Sequence, residues 1–330
     1  MENIQSTLDK LASQSDKRTS VFDIEIVRLQ NSSLSLSGRL LDESQLETLT
    51  RHFSKWKLDT SAIQILHKGD LPRMHIGTNL TGLYEKPTFS APLSSELCYG
   101  TELEILDEQG NWVFTSQKDG YLGWVYKPYL TEGSATKATH LVIVSSYGLR
   151  TQPDRESEIL TRVVSGTGVS VEEIRGEWAK VAANKSGWMP LAFLRAMDAF
   201  PGSLEERRKA LLKDSARLIG VPYLWGGTSG NGIDCSGFVR LLHRWIGIEI
   251  PRDADLQHTA AKPVEPPFET GDLLFFSENG SDRSITHVGM SLDGWMIIHS
   301  SRPNNGVYIE DIQKNESRKQ SFVSAGSFLR

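Results

Sequence analysis

The feature that most constrains the fold of this chain is an internal repeat of two similar segments, 83–130 and 149–194. Each segment runs through a proline loop, a Gly-Thr step, an alternating strand, a turn with a tryptophan, and a strand containing Gly-Trp. The landmarks pair as Pro87 with Pro153, Gly100 with Gly166, Trp112 with Trp178, and Trp124 with Trp188. Short alternating strands separated by glycine turns are typical of small β-barrels. The repeat therefore predicts two tandem barrels with Trp124 and Trp188 in their cores.

The order of these landmarks resembles bacterial SH3-like domains, which places a first domain at 69–133 and a second at 134–198. Ahead of them, residues 1–68 contain two weakly alternating strand segments and a helix capped by Asp42. We interpret this part as a short α/β segment and assign no chemistry to it. Whether it alters access to a site elsewhere in the chain is left open.

Pro201-Gly202 marks a boundary, and residues 199–330 form the last predicted domain. A helix over 203–219 begins with a capping box of Ser203 and Glu206. Its expected apolar face consists of Leu211, Leu212, Ala216 and Ile219. After a glycine-rich loop, a second helix carries on its apolar side Phe238, Val239, Leu242 and Trp245. Short strands follow, and this order predicts an α+β domain.

Composition narrows the function classes. Of the 330 residues, 38% are hydrophobic and 23% are charged, which is typical of a globular protein. The net charge of −5 argues against general nucleic-acid binding, and the apolar runs are too short to predict a membrane helix. The N-terminal residues lack the basic start and apolar core of a secretory signal, so we expect a cytoplasmic protein. The two cysteines, Cys98 and Cys235, make no disulfide framework.

Cys235 is the strongest candidate for chemistry. It lies in "GIDCSGFVR", where the glycine-rich loop ends and the second helix begins. A free thiol has a pKa of about 8.5, and a helix N-terminus together with an imidazolium lowers it by several units. The position therefore predicts a thiolate nucleophile. A buried, inert cysteine is the alternative interpretation.

Two of the eight histidines stand out. His287 in "THVGM" and His299 in "MIIHSS" each place a polar ring on an apolar strand, which is costly unless the ring is hydrogen-bonded. Two such strands can pair and set the rings side by side, with His287 as the base and His299 as the residue that orients it. A metal site of two histidines and one cysteine is the rival interpretation, but no further Cys or Asp at ligand spacing completes it.

Five ordered blocks carry a second resemblance: "PYLWGGTSGNGIDCSGFV", "PRDADLQ", "GDLLFF", "HVGM" and "IIHSS". Over residues 201–330 they resemble the NlpC-type family of papain-like cell-wall cysteine peptidases. With the tandem barrels, the chain is similar to the subgroup that recycles peptidoglycan peptides. The resemblance implies a papain-like α+β catalytic domain behind two SH3-like β-barrels and the α/β segment. It also implies a catalytic triad of Cys235, His287 and His299.

Other roles carry over from the family by position. Tyr223 matches a tyrosine that donates to the oxyanion together with the backbone N–H of Cys235. The positions that match binders or wall residues of the L-Ala-γ-D-Glu pocket are Asp234, Ser236, Trp225, Arg252 and Asp253. From the first SH3-like domain the resemblance adds Tyr121 and Glu96, which close the site. The plainer interpretations are a loop ion pair between Arg252 and Asp253, and a solvated charge for Glu96.

The resemblance implies hydrolysis of the γ-D-glutamyl-L-diamino-acid bond in murein peptides that have a free N-terminal L-Ala. It implies no metal, no cofactor, and no nucleic-acid or membrane partner, and we expect a monomer. The substrate ammonium needs a carboxylate, and Asp234 is the nearest one to the nucleophile in sequence. Acetylation of the amine would leave that carboxylate buried and unpaired.

Two alternatives stay open because function depends on the site rather than on the fold. The first is a peptidoglycan-binding module whose peptidase-like domain is an inactive scaffold. The second is a cysteine acyltransferase or amidase that acts on another substrate. The sequence does not specify whether the diamino acid is lysine or diaminopimelate.

Overall fold

The computed structural model describes residues 4–278 and 284–329, and its first unit is a three-stranded sheet with two helices. The elements are α1 (Ile4–Ser13), β1 (Phe22–Gln30), β2 (Ser33–Leu40), α2 (Glu43–His52) and β3 (Lys57–Ile65). β1 and β2 are antiparallel, whereas β2 and β3 are parallel because α2 forms the crossover between them. Asp42 caps α2 in a capping box with Gln45. The sequence analysis predicted β1, β2 and α2 but missed α1 and β3.

The two repeated segments fold into seven-stranded sheets with the same strand order. The first contains β4 (Arg73–Ile76), β5 (Leu80–Tyr84), β6 (Leu93–Cys98), β7 (Glu102–Gln109), β8 (Trp112–Ser116), β9 (Leu122–Tyr126) and β10 (Leu130–Glu132). The second contains β11 (His140–Val142), β12 (Ser146–Arg150), β13 (Ile159–Val164), β14 (Gly168–Arg175), β15 (Trp178–Ala182), β16 (Ser186–Pro190) and β17 (Leu194–Ala196). The order β10-β4-β7-β8-β9-β5-β6 in the first sheet corresponds to β17-β11-β14-β15-β16-β12-β13 in the second. The predicted tandem repeat is confirmed.

Matched landmarks of the repeat have matched conformations. Gly100 and Gly166 both have φ of +78°, a left-handed conformation that favours glycine. Trp124 and Trp188 are buried, as predicted. The side chains of these two tryptophans therefore add buried apolar area to their barrels.

The last unit combines four helices with a six-stranded antiparallel sheet. Its elements are α3 (Leu204–Ser215), β18 (Thr228–Ser229), β19 (Gly232–Ile233), α4 (Cys235–Trp245), α5 (Ala254–Ala260), β20 (Lys262–Val264), β21 (Leu273–Ser277), β22 (Ile285–Asp293), β23 (Met296–Ser301), β24 (Gly306–Asp311), α6 (Glu316–Ser321) and β25 (Phe322–Ser327). The sheet order is β20-β25-β21-β22-β23-β24. Among the described helices, none is long and apolar enough to cross a membrane.

The helix α4 is the centre of the catalytic-domain core. The four residues predicted for its apolar side are fully buried: Phe238, Val239, Leu242 and Trp245. They pack in one cluster with residues of β21, β22 and β23. Trp245 also donates from its indole Nε1 to the carbonyl of Val142 at 3.1 Å. The helix therefore contacts both the sheet behind it and the second barrel beside it.

The apolar face predicted for the helix over 203–219 is wrong at three of four positions, and two of these, Ala216 and Ile219, lie beyond the end of α3 at Ser215. Leu211 is buried, but Leu212 and Ile219 are 49% and 52% exposed and Ala216 is also exposed. The helix instead buries Asp214, whose carboxylate pairs with Arg195 at the end of the second barrel at 2.7 Å. An ion pair between domains, which the helical periodicity does not show, decides the orientation of this helix. The capping box of Ser203 and Glu206 is present as predicted.

The glycine-rich loop docks against both barrels. A Cβ on Gly226 would lie 2.4 Å from the carbonyl oxygen of Leu93 in the first barrel. A Cβ on Gly230 would lie 2.3 Å from the carbonyl oxygen of Ser145 in the second. Neither position can accept a side chain without moving backbone. Glycine at these two points therefore lets the barrels approach the loop that precedes the nucleophile.

Candidate active site

Cys235 is the first residue of α4, and Asp234 is its N-cap. The Asp234 carboxylate accepts a hydrogen bond from the backbone N–H of Gly237 at 2.7 Å. The N–H groups of the first helical turn have no acceptor inside the helix, and besides that of Gly237, the N–H of Ser236 contacts the thiol of Cys235. The thiol lies at the positive end of the helix dipole, at the position where the sequence analysis placed it.

His287 on β22 and His299 on β23 come from paired antiparallel strands. Nε2 of His287 lies 2.7 Å from Nδ1 of His299. Val288, the next residue after His287, brings its backbone N–H to the thiol of Cys235. One ring nitrogen of His287 is thus held by His299, and the other, Nδ1, is left for proton transfer. The structure brings the three predicted residues together.

Glu310 on β24 extends this chain of side chains and was missed by the sequence analysis. Nε2 of His299 lies 3.2 Å from Oε2 of Glu310, and this contact lowers the pKa of the Glu310 carboxyl to about 2. The sequence signal was a carboxylate in the apolar strand "VYIE", two residues after Tyr308, whose ring packs on His299. Because strand side chains alternate, Glu310 shares a face with Tyr308.

The Glu310 carboxylate favours one tautomer of each histidine. An ionised carboxylate only accepts hydrogen bonds, so it favours a neutral His299 that carries the hydrogen on Nε2 and leaves Nδ1 as an acceptor. Nδ1 of His299 then accepts from Nε2–H of His287, which leaves a lone pair on Nδ1 of His287. A histidine in that state is a general base.

Burial acts against the ionised pair that the sequence analysis predicts. It raises the pKa of Cys235 to about 12, and the charge of Asp234 adds to this, whereas the N–H groups of Val288 and Ser236 lower it. Burial, with His299 beside it, holds the pKa of His287 well below its usual value. Both shifts favour a neutral thiol and a neutral imidazole over the predicted thiolate, which stays a prediction.

Asp234 is not available to a substrate amine. Its two oxygens accept two backbone N–H groups and a bidentate pair from Arg252, with Nη1 at 3.1 Å and Nη2 at 2.6 Å. Ser236 donates its hydroxyl to the same carboxylate and accepts from Arg252. Arg252 is 2% exposed and also donates to Ser95 of the first barrel. These predicted pocket residues form a buried network that fixes the loop before Cys235.

Asp253 is a carboxylate at the contact between the first barrel and the catalytic domain. Its Oδ2 accepts a hydrogen bond from the Tyr121 hydroxyl at 2.9 Å, and its side chain is 23% exposed. Oδ1 lies 4.0 Å from Nη1 of Arg252, whose close partner is Asp234. Arg252 and Asp253 thus form the ion pair of the alternative interpretation at long range, while Asp234 is the closer partner of Arg252. Burial raises the pKa of the Asp253 carboxyl, while Arg252 and Tyr121 lower it.

Glu96 on β6 reaches the catalytic domain but is held by its glycine-rich loop. Oε2 of Glu96 accepts the backbone N–H of Thr228 at 2.8 Å, and burial raises the pKa of the carboxyl. Within residues 4–278 and 284–329, no hydrogen bond or ion pair joins Glu96 to Tyr121 or Asp253. Glu96 is thus neither a solvated charge nor a partner of Tyr121, and its contact secures the domain interface.

Tyr223 lies near Cys235, and Arg302 joins its ring to that of Trp225. Burial, with the charges of Cys235 and Asp234, raises the pKa of the Tyr223 phenol to about 12. The guanidinium of Arg302 lies 5.7 Å from the Tyr223 ring and 5.6 Å from the Trp225 ring, and Trp225 is 59% exposed. A phenol that stays protonated beside the thiol suits hydrogen-bond donation to an oxyanion.

A thiol at a helix N-terminus, a neutral histidine base and an orienting histidine on a papain-like α+β fold define a cysteine peptidase. In the described ranges, no three His, Cys, Asp or Glu side chains are grouped so that they could hold a metal ion. Family models match three parts of the chain: the NlpC/P60 family at 220–325, the bacterial dipeptidyl-peptidase SH3 domain at 83–127, and the bacterial SH3 domain at 145–195.

Relatives match beyond the catalytic domain. The gamma-D-glutamyl-L-lysine dipeptidyl-peptidase of Bacillus subtilis (strain 168) is 30% identical over 244 residues, which covers 68% of this chain and 77% of the relative. Dipeptidyl-peptidase 6 of Lysinibacillus sphaericus is 25% identical over 254 residues, which covers 71% of this chain and 90% of the relative. The chain belongs to the NlpC/P60 family, and the resemblance stated from the sequence is confirmed.

A solved structure shares the fold. The crystal structure of an NlpC/P60 family protein from Bacillus cereus ATCC 10987 matches with a TM-score of 0.68 at 22% identity. The match covers 78% of this chain and 100% of the other. The tandem barrels ahead of the peptidase domain are therefore part of a shared architecture.

Proposed function

We propose that this peptidase hydrolyses the γ-D-glutamyl-L-diamino-acid bond of peptidoglycan-derived peptides that have a free N-terminal L-Ala. The observation that carries the proposal is the Asp253–Tyr121 pair, in which a partly exposed carboxylate is held by the first barrel. A partly exposed carboxylate suits an ammonium group. The printed names of the two Bacillus relatives, both gamma-D-glutamyl-L-lysine dipeptidyl-peptidases, support the same bond type.

In the proposed reaction the sulfur of Cys235 attacks the γ-carbonyl carbon of D-Glu while its proton passes to Nδ1 of His287. The Tyr223 hydroxyl and the Cys235 N–H donate to the oxyanion. The C–N bond then breaks, and His287 gives its proton to the leaving amine of the diamino acid. A thioester remains on Cys235. Water attacks it with His287 as base, the C–S bond breaks, and L-Ala-γ-D-Glu leaves as the thiol regains its proton.

The carboxylate of Asp253 would recognise the free amine of the substrate. An ammonium at Asp253 gains a charge-assisted hydrogen bond, whereas an acetylated amine cannot supply the positive charge and leaves Asp253 desolvated. Discrimination of this type depends on unpaired buried polar groups and is stronger than discrimination by apolar size. We further propose that the enzyme is a monomer and that it acts in the cytoplasm. Peptides released from the wall would be its substrates there.

Mass-spectrometric cleavage of four peptides tests the function. The substrates are L-Ala-γ-D-Glu-L-Lys and its diaminopimelate counterpart, each with a free and with an acetylated amine. The expected result is release of L-Ala-γ-D-Glu from free-amine peptides only, with the two diamino acids compared directly. Equal cleavage of both amine forms would overturn the amine pocket. No cleavage at all would overturn the proposal and favour acyl transfer or binding.

Two variants distinguish a loss of catalysis from a loss of the folded structure. Cys235→Ala should abolish turnover and leave the melting temperature nearly unchanged, because the lost sulfur is small. Cys98→Ser is the matched control, since Cys98 is the other free cysteine and lies on the first barrel. Full turnover by Cys235→Ala would exclude the acyl-enzyme.

A further inference from the structure

Arg18 connects the N-terminal unit with the pocket of Asp253 across 235 positions of sequence. It lies between α1 and β1, in the part to which the sequence analysis assigned no chemistry. Its carbonyl oxygen accepts the backbone N–H of Leu122 at 2.7 Å, and Leu122 follows Tyr121 in the first barrel. The backbone that carries Arg18 is therefore fixed beside the tyrosine of the pocket.

The guanidinium of Arg18 is held by three carboxylates. Nη1 donates to Oδ2 of Asp253 at 3.0 Å and to Oδ1 of Asp255 at 2.8 Å. Nη2 donates to Oδ2 of Asp255 and to Oδ2 of Asp16, each at 2.6 Å, and Nε donates to Asp16 at 2.9 Å. An arginine has five N–H donors, and all five are engaged. Such a guanidinium has one orientation, and so do the carboxylates around it.

The two oxygens of Asp253 have different surroundings. Oδ2 accepts from both Arg18 and the Tyr121 hydroxyl. Oδ1 accepts no hydrogen bond from the described residues, and Nη1 of Arg252 lies 4.0 Å from it. Arg252 is already paired with Asp234 at 2.6 Å. Oδ1 is therefore the oxygen that is open to a ligand.

The local charge favours a further cation. Asp16, Asp253 and Asp255 bring three negative charges, and Arg18 supplies one positive charge to them. Two negative charges are left over in a partly buried site, where attraction to a cation is stronger than in water. An ammonium group at Oδ1 would offset part of this excess.

We propose that Arg18 is a specificity-determining residue of the peptidase. The N-terminal unit supplies it to hold Asp253 through Oδ2, so that Oδ1 faces the free ammonium of the substrate. This inference rests on the proposed function, because it names the residue that sets the amine preference. Without Arg18, the carboxylates of Asp253 and Asp255 repel each other, and that repulsion disfavours an ionised Asp253. The amine subsite is then incomplete without the N-terminal unit.

A competing role for Arg18 is that of a plug that occupies the position of the ammonium. The geometry favours the supporting role, because Arg18 binds Oδ2 and leaves Oδ1 open. The two roles predict opposite effects of removing the side chain. A supporting residue raises the KM for free-amine peptides when it is lost, whereas a plug lowers it.

The test compares Arg18→Ala, Arg18→Lys and Arg39→Ala in the full chain. Arg39 on β2 is a matched control, because it also links the N-terminal unit to the first barrel, through Asp107 at 3.4 Å, without touching Asp253. The readouts are kcat and KM for L-Ala-γ-D-Glu-L-Lys with free and with acetylated amine, together with the melting temperature of each variant.

Arg18→Ala should raise the KM for the free-amine peptide about tenfold with little change in kcat, the size typical of losing one charge-assisted hydrogen bond. The preference for the free amine should fall by the same factor. Arg18→Lys should restore part of it, and Arg39→Ala should leave it unchanged. An unchanged preference in Arg18→Ala, a lowered KM, or an equal loss for both peptides would overturn the inference.

The wild-type enzyme in the same assay separates the two proposals. If it cleaves the free-amine peptide with strong preference and Arg18→Ala keeps that preference, only the inference about Arg18 fails. If the wild-type enzyme cleaves neither peptide, the proposed function fails and the inference fails with it.

Discussion

Nε2 of His299 lies 3.2 Å from Oε2 of Glu310, and the carboxylate at this distance favours a hydrogen on Nε2 of His299. Glu310 acts on His299, and His299 acts on His287. The result is a lone pair on Nδ1 of His287. Asn315 and Arg318 also contact the Glu310 carboxylate, so its position is fixed from a second side. Glu310 therefore acts through His299 as a positioning residue.

Glu310→Gln tests this relationship. The amide has nearly the same size, but it can donate to His299 and so permits the other tautomer. We expect kcat to fall about 100-fold with little change in KM, at the lower end of what general acid–base catalysis contributes. Steady-state kinetics over pH 5–9 measures both constants.

Asp311→Asn is the control for Glu310→Gln, because Asp311 is the adjacent carboxylate and pairs with the exposed Lys314. It should keep wild-type kcat. A Glu310→Gln enzyme with wild-type kcat at every pH would show that the tautomers are set without the carboxylate.

Asp253→Asn should reduce the preference for a free amine. The amide keeps the shape and a Tyr121 contact but removes the charge that an ammonium needs. Loss of a hydrogen bond between charged groups costs about 1.5–3 kcal/mol, so the KM for the free-amine peptide should rise roughly 10- to 100-fold. Asp107→Asn on the first barrel serves as the control. Unaltered selectivity in Asp253→Asn would remove this carboxylate from the amine subsite.

The free thiol should react slowly with iodoacetamide at neutral pH. Burial raises the pKa of Cys235 to about 12, so the thiol form is favoured below that value and the thiolate fraction rises with pH. In a Cys98→Ser background, the alkylation rate should increase about tenfold per unit from pH 7 to pH 9, because only the thiolate reacts. A fast, level rate between pH 5 and pH 7 would instead indicate a resting thiolate–imidazolium pair.

Gly226→Ala should weaken the docking of the glycine-rich loop on the first barrel. Gly226 has φ of +77°, and an added Cβ would lie 2.4 Å from the carbonyl oxygen of Leu93. Gly220→Ala is the control, because Gly220 has φ of +82° but no atom within 4 Å of the added Cβ. In both variants, an alanine in the left-handed conformation lowers the free energy of unfolding by about 1–2 kcal/mol. Only Gly226→Ala adds the clash with the carbonyl oxygen of Leu93. Denaturant unfolding should show a larger loss for Gly226→Ala, and equal losses would contradict the close approach.

Local sequence patterns were sufficient to predict those features that depend on residues close together in the sequence. The capping box of Ser203 and Glu206, the buried face of α4 and the matched landmarks of the two barrels were all predicted from the sequence. Each rests on hydrogen bonds within one helical turn or on a short periodicity. The helix start at Cys235 belongs to the same class, because Asp234 caps the helix that directly follows it.

The partners of the charged side chains were not predicted from local sequence patterns. Asp234 was assigned to the substrate amine and is instead paired with Arg252, 18 positions away. Glu310 and Arg18 were not predicted at all. The partners of an ion pair depend on which strands are neighbours and on how the domains dock. Neither can be predicted from a local sequence pattern.

Repeats, strand and helix patterns and ordered motifs were enough to predict the architecture and the positions of Cys235, His287 and His299. The partner of Asp234 and the contacts of Glu310 and Arg18 became visible in the folded molecule alone, because burial and ion pairing act through space. The contact from Arg18 to Asp253 spans 235 positions and exists only once the N-terminal unit, the first barrel and the catalytic domain are packed together.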